Sequence, residues 1–479
     1  MVNTLNDKSR IFFNSLIVTT ATVADKFFFF LITIIIARYL SVEKYGEYAT
    51  ALGYATFLAA FTNLGLNQVL IRQINLFPGE EKKHFANSLV LKLWVSGIAF
   101  IILIATLPFT GYNHNIIYLI IILAFVRLGS EFQNTFYYFY EAIEKFITSS
   151  FFTLVFSISL LAATIAAIKI KGDYYTIVFF RLALVAIFLI ALFIYTQKKY
   201  NVVSLKIENL KGFIKDAIPF SLTTILQENA IGNINIIIIS MMLGATYSGL
   251  FNNALLFFMA LFFVPKSIGK VILPFLYKKT IEEDRTQFQF AYDIINRILC
   301  MLSFYILIIL IFFPNEIITL LFGDKYIESA GVLKIIAISI PFFFNMGTTL
   351  ITALDKQKIN SLIYFIASLI NVATSMILIN KLKITGAAWA IVITYFFIFT
   401  ASSIYLKKIF SIKILPTLLI NLKLAIILAA IMFLYNYIIL FDSWIINAII
   451  LSVIYGMLLF IFIVKKDDLR IFKEVLKNE

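Results

Sequence analysis

Charged residues inside long apolar segments are the groups of this sequence that could do chemistry. The first apolar segment, residues 11–38, holds the adjacent pair Asp25 and Lys26. At 1.5 Å of rise per helical residue, Asp25 lies roughly 20 Å from Ile11, near the centre of a hydrocarbon core about 30 Å thick. Adjacent helical side chains diverge, so we expect these two charges to be poorly placed to neutralise each other. Intramembrane charges of this kind indicate a functional site.

Basic residues in other apolar segments point to an anionic ligand. Arg181 has no acid three or four residues away, so it needs water, another helix or an anion. Arginine binds phosphate well because its planar fork gives two charge-assisted hydrogen bonds at once. Lys92 and Arg297 lie near predicted helix ends, where long side chains can snorkel to water. The predicted cationic wall that holds a phosphate or diphosphate consists of Lys26, Arg127 and Arg181, with Lys92 and Arg297 as further substrate-binding candidates.

Acidic residues in the same segments are candidates for coupling or gating. Arg127 and Glu131 are four residues apart and share a helix face, so an intrahelical ion pair and a ligand site are both open interpretations. Asp25 and Glu228 could take up H⁺ or Na⁺ during the transport cycle, and the membrane potential is the alternative driving force. We expect no cofactor and no metal site, because the chain has one cysteine, Cys300, and two histidines.

The composition indicates that these charges belong to a membrane protein. Of 479 residues, 61% are hydrophobic and only 14% are charged, which predicts an all-α polytopic membrane protein. The formal charge of +14 is typical of cytoplasmic anchors in such proteins, so we expect no nucleic-acid partner. The sequence contains no Gly-x-x-x-x-Gly-Lys-Ser/Thr phosphate loop, and its outer links are too short for a catalytic domain. These features predict a transporter rather than an enzyme.

Apolar segments separated by short polar links predict about fourteen transmembrane helices. The segments are residues 11–38, 46–69, 85–107, 115–140, 147–168, 174–196, 214–243, 248–273, 288–313, 331–354, 359–380, 386–406, 418–440 and 444–464. With both termini in the cytoplasm, 26 Lys and Arg residues fall on cytoplasmic links and tails and 7 on outer links. The positive-inside rule therefore predicts cytoplasmic N- and C-termini.

The two halves of the chain resemble each other. A shift of 203 residues places Gly46 and Tyr48 over Gly249 and Phe251, and Asp25 over Glu228. A shift of 211 residues applies further along the chain, and by it Arg181 corresponds to Val392. Six helices in each half make the repeats parallel in topology. We predict pseudo-symmetric six-helix bundles at residues 1–200 and 201–410, followed at 411–479 by two extra C-terminal helices and a cytoplasmic tail.

The motifs resemble the Wzx-type polysaccharide and O-antigen flippases of the multidrug/oligosaccharidyl-lipid/polysaccharide (MOP) exporter superfamily, which also includes MATE and MurJ-type transporters. The matching stretches run in order along residues 10–410: Ala37 to Tyr48, Asn63 to Leu66, Leu70 to Arg72, Ile218 to Ser221, Leu243 to Ala245, Gly249 to Phe251, Leu321 to Tyr326 and Ile384 to Ala390. The family often has an acid where this chain has Asn235, and Glu228 is the candidate to replace it in coupling. The resemblance implies two bundles around a central cavity that opens to either side in turn.

The resemblance also implies a cargo and a location. The expected cargo is an undecaprenyl-diphosphate-linked oligosaccharide for O-antigen, capsule or exopolysaccharide, moved across the bacterial plasma (inner) membrane. Polymerase and chain-length proteins of the same pathway are candidate partners. A MurJ-type lipid II flippase, a cation-coupled MATE multidrug exporter and a membrane polymerase or ligase are the alternatives. Deep basic residues disfavour cationic drugs, and short outer loops disfavour the enzyme.

Overall fold

The computed structural model describes residues 2–204, 210, 212–214, 217, 230–261, 265, 285–354, 356–435 and 441–463. These residues form α-helices joined by short links and two 3-10 turns, with no strand among them, which confirms the all-α prediction. Eleven of the described helices are long and apolar enough to cross a membrane, or twelve if one bent pair counts as a span. The chain is therefore a multi-pass membrane protein.

The remaining two predicted spans are only partly described. The segments predicted at 214–243 and 248–273 correspond to shorter apolar helices next to residues outside the described ranges. The count of fourteen therefore stays a prediction. The described helices are α1 (Val2–Tyr39), α2 (Val42–Asn63), α3 (Leu66–Leu76), α4 (Glu81–Thr106), α5 (His114–Ala142), α6 (Phe146–Lys169), α7 (Tyr174–Tyr200), α8 (Ala230–Leu243), α9 (Ala245–Leu261), α10 (Arg285–Phe312), α11 (Pro314–Phe322), α12 (Ser329–Ala337), α13 (Ile340–Phe343), α14 (Gly347–Ala353), α15 (Gln357–Leu382), α16 (Ile384–Phe410), α17 (Leu415–Tyr435) and α18 (Trp444–Phe462).

Internal contacts divide the chain into two units. The first unit is Met1–Leu256 with Tyr364–Ala387, and the second is Phe257–Ile363 with Ala388–Glu479. The bundle boundaries expected near residues 200 and 410 stay a prediction.

Helix α5 lies at the centre of the first unit and contacts α2, α3, α4, α6 and α7. Helix α1 packs along α6, and α8 packs on α2. At one end of α5, buried aromatic rings fill the space between helices: Phe85 lies 5.3 Å from Phe136 and 4.7 Å from Phe139, centroid to centroid. This packing fixes the rotation of α5, and therefore the direction of its charged residues.

A break between α2 and α3 brings polar residues into the first unit. Leu64 and Gly65 have positive φ angles of 40° and 70°, a left-handed conformation that ends α2 and that glycine adopts at little cost. The chain restarts as α3 within the same membrane-crossing segment, Val42–Leu76. Because of this break, Asn67 begins a new turn that faces α4 and α5.

Two glycines allow α2 and α9 to touch through their backbones. A Cβ atom on Gly46 would overlap the backbone carbonyl of Ala245, and one on Gly249 would lie 2.9 Å from the Cα atom of Gly46. Small residues permit this kind of close helix approach in membranes. The glycines are the pair that the 203-residue shift aligns, so the repeat brings equivalent positions into direct contact.

In the second unit, α10 packs against α13, α17 and α18. The span from Ser329 to Thr352 bends by 44° between α12 and α13. The Asn296 side chain on α10 accepts hydrogen bonds from Met346 N at 3.2 Å and from Asn345 Nδ2 at 3.4 Å, which satisfies donors near the start of α14.

Candidate functional site

Two arginines flank one phenyl ring inside the first unit. The Cζ atoms of Arg127 on α5 and Arg181 on α7 each lie 5.9 Å from the ring centroid of Phe29 on α1. The guanidinium groups are therefore separated by no more than twice that distance. A phenyl face attracts cations and holds them in place, but two like charges in an apolar environment repel each other. The arrangement favours an anion between or beside the arginines.

The two arginines differ in their partners. Arg181 is 8% exposed and donates from Nη1 to the hydroxyl of Tyr48 on α2 at 3.1 Å. Arg127 forms no ion pair with any described residue, and its Nε atom is buried without a hydrogen-bond partner there. A buried unsatisfied donor costs about 1–3 kcal/mol, more for a charged group. A phosphate oxygen would satisfy this donor and offset the repulsion.

Asp25 lies at the interface of α1 and α6. Its Oδ1 atom accepts a hydrogen bond from Ser157 Oγ at 2.7 Å, and its Oδ2 atom lies 3.7 Å from Lys26 Nζ. The expectation that Asp25 and Lys26 are poorly placed to neutralise each other is therefore wrong, because the flexible lysine stem lets the ammonium reach back along the helix. The Lys26 side chain is 67% exposed, whereas Arg181 is buried. Its role in cargo binding stays a prediction.

Lys92 forms a second polar cluster with residues of α3 and α5. Its Nζ atom donates to Asn67 Oδ1 at 3.1 Å and to the backbone carbonyl of Glu131 at 2.8 Å, and lies 3.7 Å from Glu131 Oε2. Lys92 is 0% exposed, so the expectation of snorkelling is wrong: its partners lie inside the bundle. A cargo-binding role for Lys92 stays a prediction and requires the ammonium to exchange these partners for an anion.

The position of Lys92 also decides the pairing of Glu131. Glu131 Oε1 accepts from Asn134 Nδ2 at 3.2 Å, while Oε2 faces Lys92. The intrahelical ion pair with Arg127 does not form in the described part of the chain. Arg127 and Glu131 thus belong to neighbouring clusters one turn apart, and Glu131 and Asp25 both act on Arg127 electrostatically.

The other predicted site residues lie elsewhere. Arg297 is on α10 in the second unit and is 8% exposed, so it is buried rather than extended to a helix end. Glu228 lies outside the described residues, and its pairing with Asp25 stays a prediction. Among described residues, no group of three or more His, Cys, Asp or Glu side chains could hold a metal ion.

Sequence reasoning missed Phe29 and Tyr48. An aromatic residue in an apolar segment carries no sequence signal of its own for ligand binding. The repeat does carry one for Tyr48: its counterpart Phe251 lacks the hydroxyl, and the counterpart of Arg181 is Val392. The hydroxyl and the guanidinium are thus present together in one half and absent together in the other.

Known proteins resemble this chain in sequence and in fold. Capsular polysaccharide biosynthesis protein CapF of Staphylococcus aureus is 24% identical over 394 residues, 80% of this chain and 95% of CapF. The uncharacterized membrane protein MJ1068 of Methanocaldococcus jannaschii is 29% identical over 104 residues, 21% of this chain and 20% of that protein.

Two solved structures share the fold. Lipid II flippase MurJ in an inward closed conformation has a TM-score of 0.74 at 18% identity, covering 93% of this chain and 98% of MurJ. An inward-facing multidrug resistance MATE transporter of the MOP superfamily has a TM-score of 0.61 at 13% identity, covering 85% and 98%. The model of the family described as "Polysaccharide biosynthesis protein" matches residues 11–280, more than half of the chain. The predicted resemblance is confirmed for the family and the fold: the chain belongs to the polysaccharide biosynthesis protein family and shares its fold with the MurJ flippase and with a MATE transporter of the MOP superfamily.

Proposed function

We propose that this protein is a flippase that moves undecaprenyl-diphosphate-linked oligosaccharide repeat units from the cytoplasmic to the outer leaflet of a bacterial plasma membrane. The observation that carries the proposal is that Arg127 and Arg181 both contact the Phe29 ring, while a buried donor of Arg127 has no hydrogen-bond partner among the described residues. A diphosphate is the anion that best fits two arginine forks. The likeness to a capsular polysaccharide biosynthesis protein supports a sugar-linked cargo.

A buried cationic site of this kind would meet the main physical requirement of flipping, which is to shelter a charged head group from hydrocarbon. A charged, sugar-bearing head group cannot cross hydrocarbon, whereas a polyprenyl tail never needs to leave it. The protein would enclose the head group beside the arginines, let the tail remain among lipids, and open to each side in turn. The inside-negative potential favours outward movement of an anion by about 2.3 kcal/mol per charge per 100 mV. Asp25, Glu131 and Glu228 are the candidates for H⁺ or Na⁺ coupling in the return step.

Transport of this kind needs no catalysis by the protein. We propose cytoplasmic termini, from the 26 to 7 distribution of basic residues. Polysaccharide polymerase and chain-length proteins would act on the cargo after it reaches the outer leaflet.

The test is surface polysaccharide production in a deletion strain that carries variants at normal protein level. Arg127→Ala and Arg181→Ala should each reduce production strongly, because each removes one of the two cations that bind the diphosphate. An exposed lysine in a membrane span, Lys423, provides the control variant Lys423→Ala, which should complement fully. Full complementation by both arginine variants would overturn the proposed site.

A lipid II flippase is the second candidate, favoured by the fold shared with MurJ over 93% of the chain. Its cargo also carries a diphosphate, so the arginine site does not discriminate between the two. Deletion discriminates: loss of a surface polysaccharide in viable cells supports the first function, and lethality supports the second. A changed drug-susceptibility profile without polysaccharide loss would instead indicate multidrug export.

A further inference from the structure

A continuous series of contacts connects Arg181 to the place where α2 and α9 touch. Arg181 donates to the Tyr48 hydroxyl at 3.1 Å, and the Tyr48 ring stacks on Tyr45 with centroids 6.5 Å apart and planes 28° apart. The Tyr45 hydroxyl accepts a hydrogen bond from Asn252 Nδ2 on α9 at 2.8 Å. Tyr45 is also adjacent to Gly46, whose backbone contacts α9 directly. All of these residues belong to the first unit.

The residues in this series are held firmly. Tyr45 and Tyr48 are 0% and 2% exposed, so both polar hydroxyls are buried and each needs its partner. The glycine contact itself offers no interlocking side chains, since neither glycine has a Cβ atom. The Asn252 to Tyr45 hydrogen bond is therefore a main directional interaction between α2 and α9 at this level.

The internal repeat indicates that the Tyr48 hydroxyl serves Arg181. Tyr48 corresponds to Phe251 by the 203-residue shift, and Arg181 corresponds to Val392 by the 211-residue shift. Phe251 is completely buried, so a ring of this size satisfies packing without a hydroxyl. The hydroxyl is thus found in the half that also has the arginine, which is the pattern expected of a polar pair rather than of a packing residue.

We propose that Tyr48 is a positioning residue that couples anion binding at Arg181 to separation of α2 and α9 at their glycine contact. The proposal rests on the proposed function, because it assumes that Arg181 binds the diphosphate. Without cargo, Arg181 holds Tyr48 against Tyr45, and Tyr45 holds Asn252. An anion competes for the Nη1 donor, and it brings a full opposite charge to the guanidinium, whereas the Tyr48 hydroxyl is a neutral acceptor. Arg181 then releases Tyr48, and the α2–α9 contact weakens.

Cargo binding and opening of the α2–α9 contact must affect each other equally, because both belong to one thermodynamic cycle. If cargo weakens the contact by a given factor, opening the contact strengthens cargo binding by the same factor. Since the contact lies at the predicted outer ends of α2 and α9, loading with cargo would favour opening to the outer face. The hydrogen bond at stake involves a charged donor, so its loss corresponds to about a tenfold change in the opening equilibrium.

Cysteine accessibility measures the opening of this contact. Ala49 lies one turn after Tyr45 on the same face of α2 and is 1% exposed. The assay introduces Ala49→Cys into a Cys300→Ser background and follows its reaction with a membrane-impermeant maleimide in proteoliposomes. The anion probe is geranyl diphosphate, a short prenyl diphosphate, and geraniol is its uncharged control. Thermal stabilisation by geranyl diphosphate reports binding separately from opening.

We expect the labelling rates of two variants, Tyr48→Phe and Tyr140→Phe, to differ, although each variant lacks one tyrosine hydroxyl. With Tyr48 intact, geranyl diphosphate should raise the labelling rate about tenfold, and geraniol should leave it unchanged. Tyr48→Phe should label quickly without any ligand and should not respond to geranyl diphosphate, although it still binds the probe. Tyr140→Phe removes another buried hydroxyl of the first unit, one that bonds to Thr196 at 2.5 Å, and should respond like the parent.

Two results would overturn the coupling role. One is a Tyr48→Phe variant with the parent's slow basal rate and full response. The other is a parent protein that binds geranyl diphosphate without any change in labelling. If the parent does not bind geranyl diphosphate at all, the anion site of the proposed function fails, and the coupling role fails with it.

Discussion

Replacement of the buried lysine tests the polar cluster at the centre of the first unit. The Lys92 ammonium has two hydrogen-bond acceptors, at 3.1 Å and 2.8 Å, and a carboxylate oxygen at 3.7 Å, with no exposure to solvent. Lys92→Met keeps a long apolar side chain and removes only the charge and the donors. The variant leaves Oε2 of Glu131, a buried atom of a partly buried side chain, without its cation.

The size of the effect follows from which of these losses dominates. Hydrogen bonds between membrane helices contribute on average about 0.6 kcal/mol each, so the lost bond to Asn67 is a small effect. Breaking a buried ion pair by removing one partner costs about 3–5 kcal/mol. We therefore expect Lys92→Met to lower the free energy of unfolding by about 3–5 kcal/mol. Removing both charges in Lys92→Met/Glu131→Gln should restore most of this loss, because no unpaired charge remains.

The assay is equilibrium unfolding in detergent micelles, with the double-mutant cycle as the readout. Glu131→Gln alone should also destabilise, because it leaves the ammonium buried and unpaired. Lys423→Met is the matched control: this lysine is exposed on α17, and its loss should change stability by less than about 0.5 kcal/mol. A Lys92→Met variant as stable as the parent, or a double variant that loses the sum of the two single losses, would refute a stabilising ion pair between Lys92 and Glu131.

Three further predictions concern the arginine site, the contact between Gly46 and α9, and Asp25 as a candidate for ion coupling. Phe29→Leu removes the ring that both guanidinium groups contact and should weaken cargo binding about tenfold at normal protein level, since each cation–π contact contributes about 0.5–2 kcal/mol. Gly46→Ala should lower stability by about 1–3 kcal/mol in thermal unfolding, because its Cβ overlaps the Ala245 carbonyl. Gly97→Ala, with nothing within 4 Å of its Cβ, should not lower it. Asp25→Asn should slow transport turnover while the KM for cargo stays unchanged, and an unchanged turnover would exclude a coupling role.

The all-α fold and the places of the long helices along the chain could be predicted from sequence, because a long apolar run between polar links determines where a span lies. Each of the eleven long helices overlaps one predicted segment. The repeat also predicted a relation between Gly46 and Gly249, and the structure brings these two glycines into direct contact. Periodicity and internal repetition are properties of the chain itself, so no tertiary information was needed for either.

The partners of each charge could not be predicted, because they depend on how helices rotate and pack. Lys92 was expected to snorkel from near a helix end, but it is buried, and the break after Asn63 brings Asn67 of α3 within hydrogen-bond distance of it. Glu131 was a candidate partner of Arg127 by spacing, yet Lys92 on another helix is its ion-pair partner. Lys26 reaches Asp25 because side-chain flexibility overrides the angle between neighbouring positions.

The most direct measurement of the central claim is leaflet transfer by the purified protein. Proteoliposomes loaded with a fluorescent undecaprenyl-diphosphate oligosaccharide report the movement of head groups between leaflets when an outside quencher is added. We predict that the parent protein accelerates transfer, that Arg127→Gln/Arg181→Gln abolishes the acceleration, and that Lys423→Gln does not affect it. Transfer by the double arginine variant at the parent rate would contradict the account.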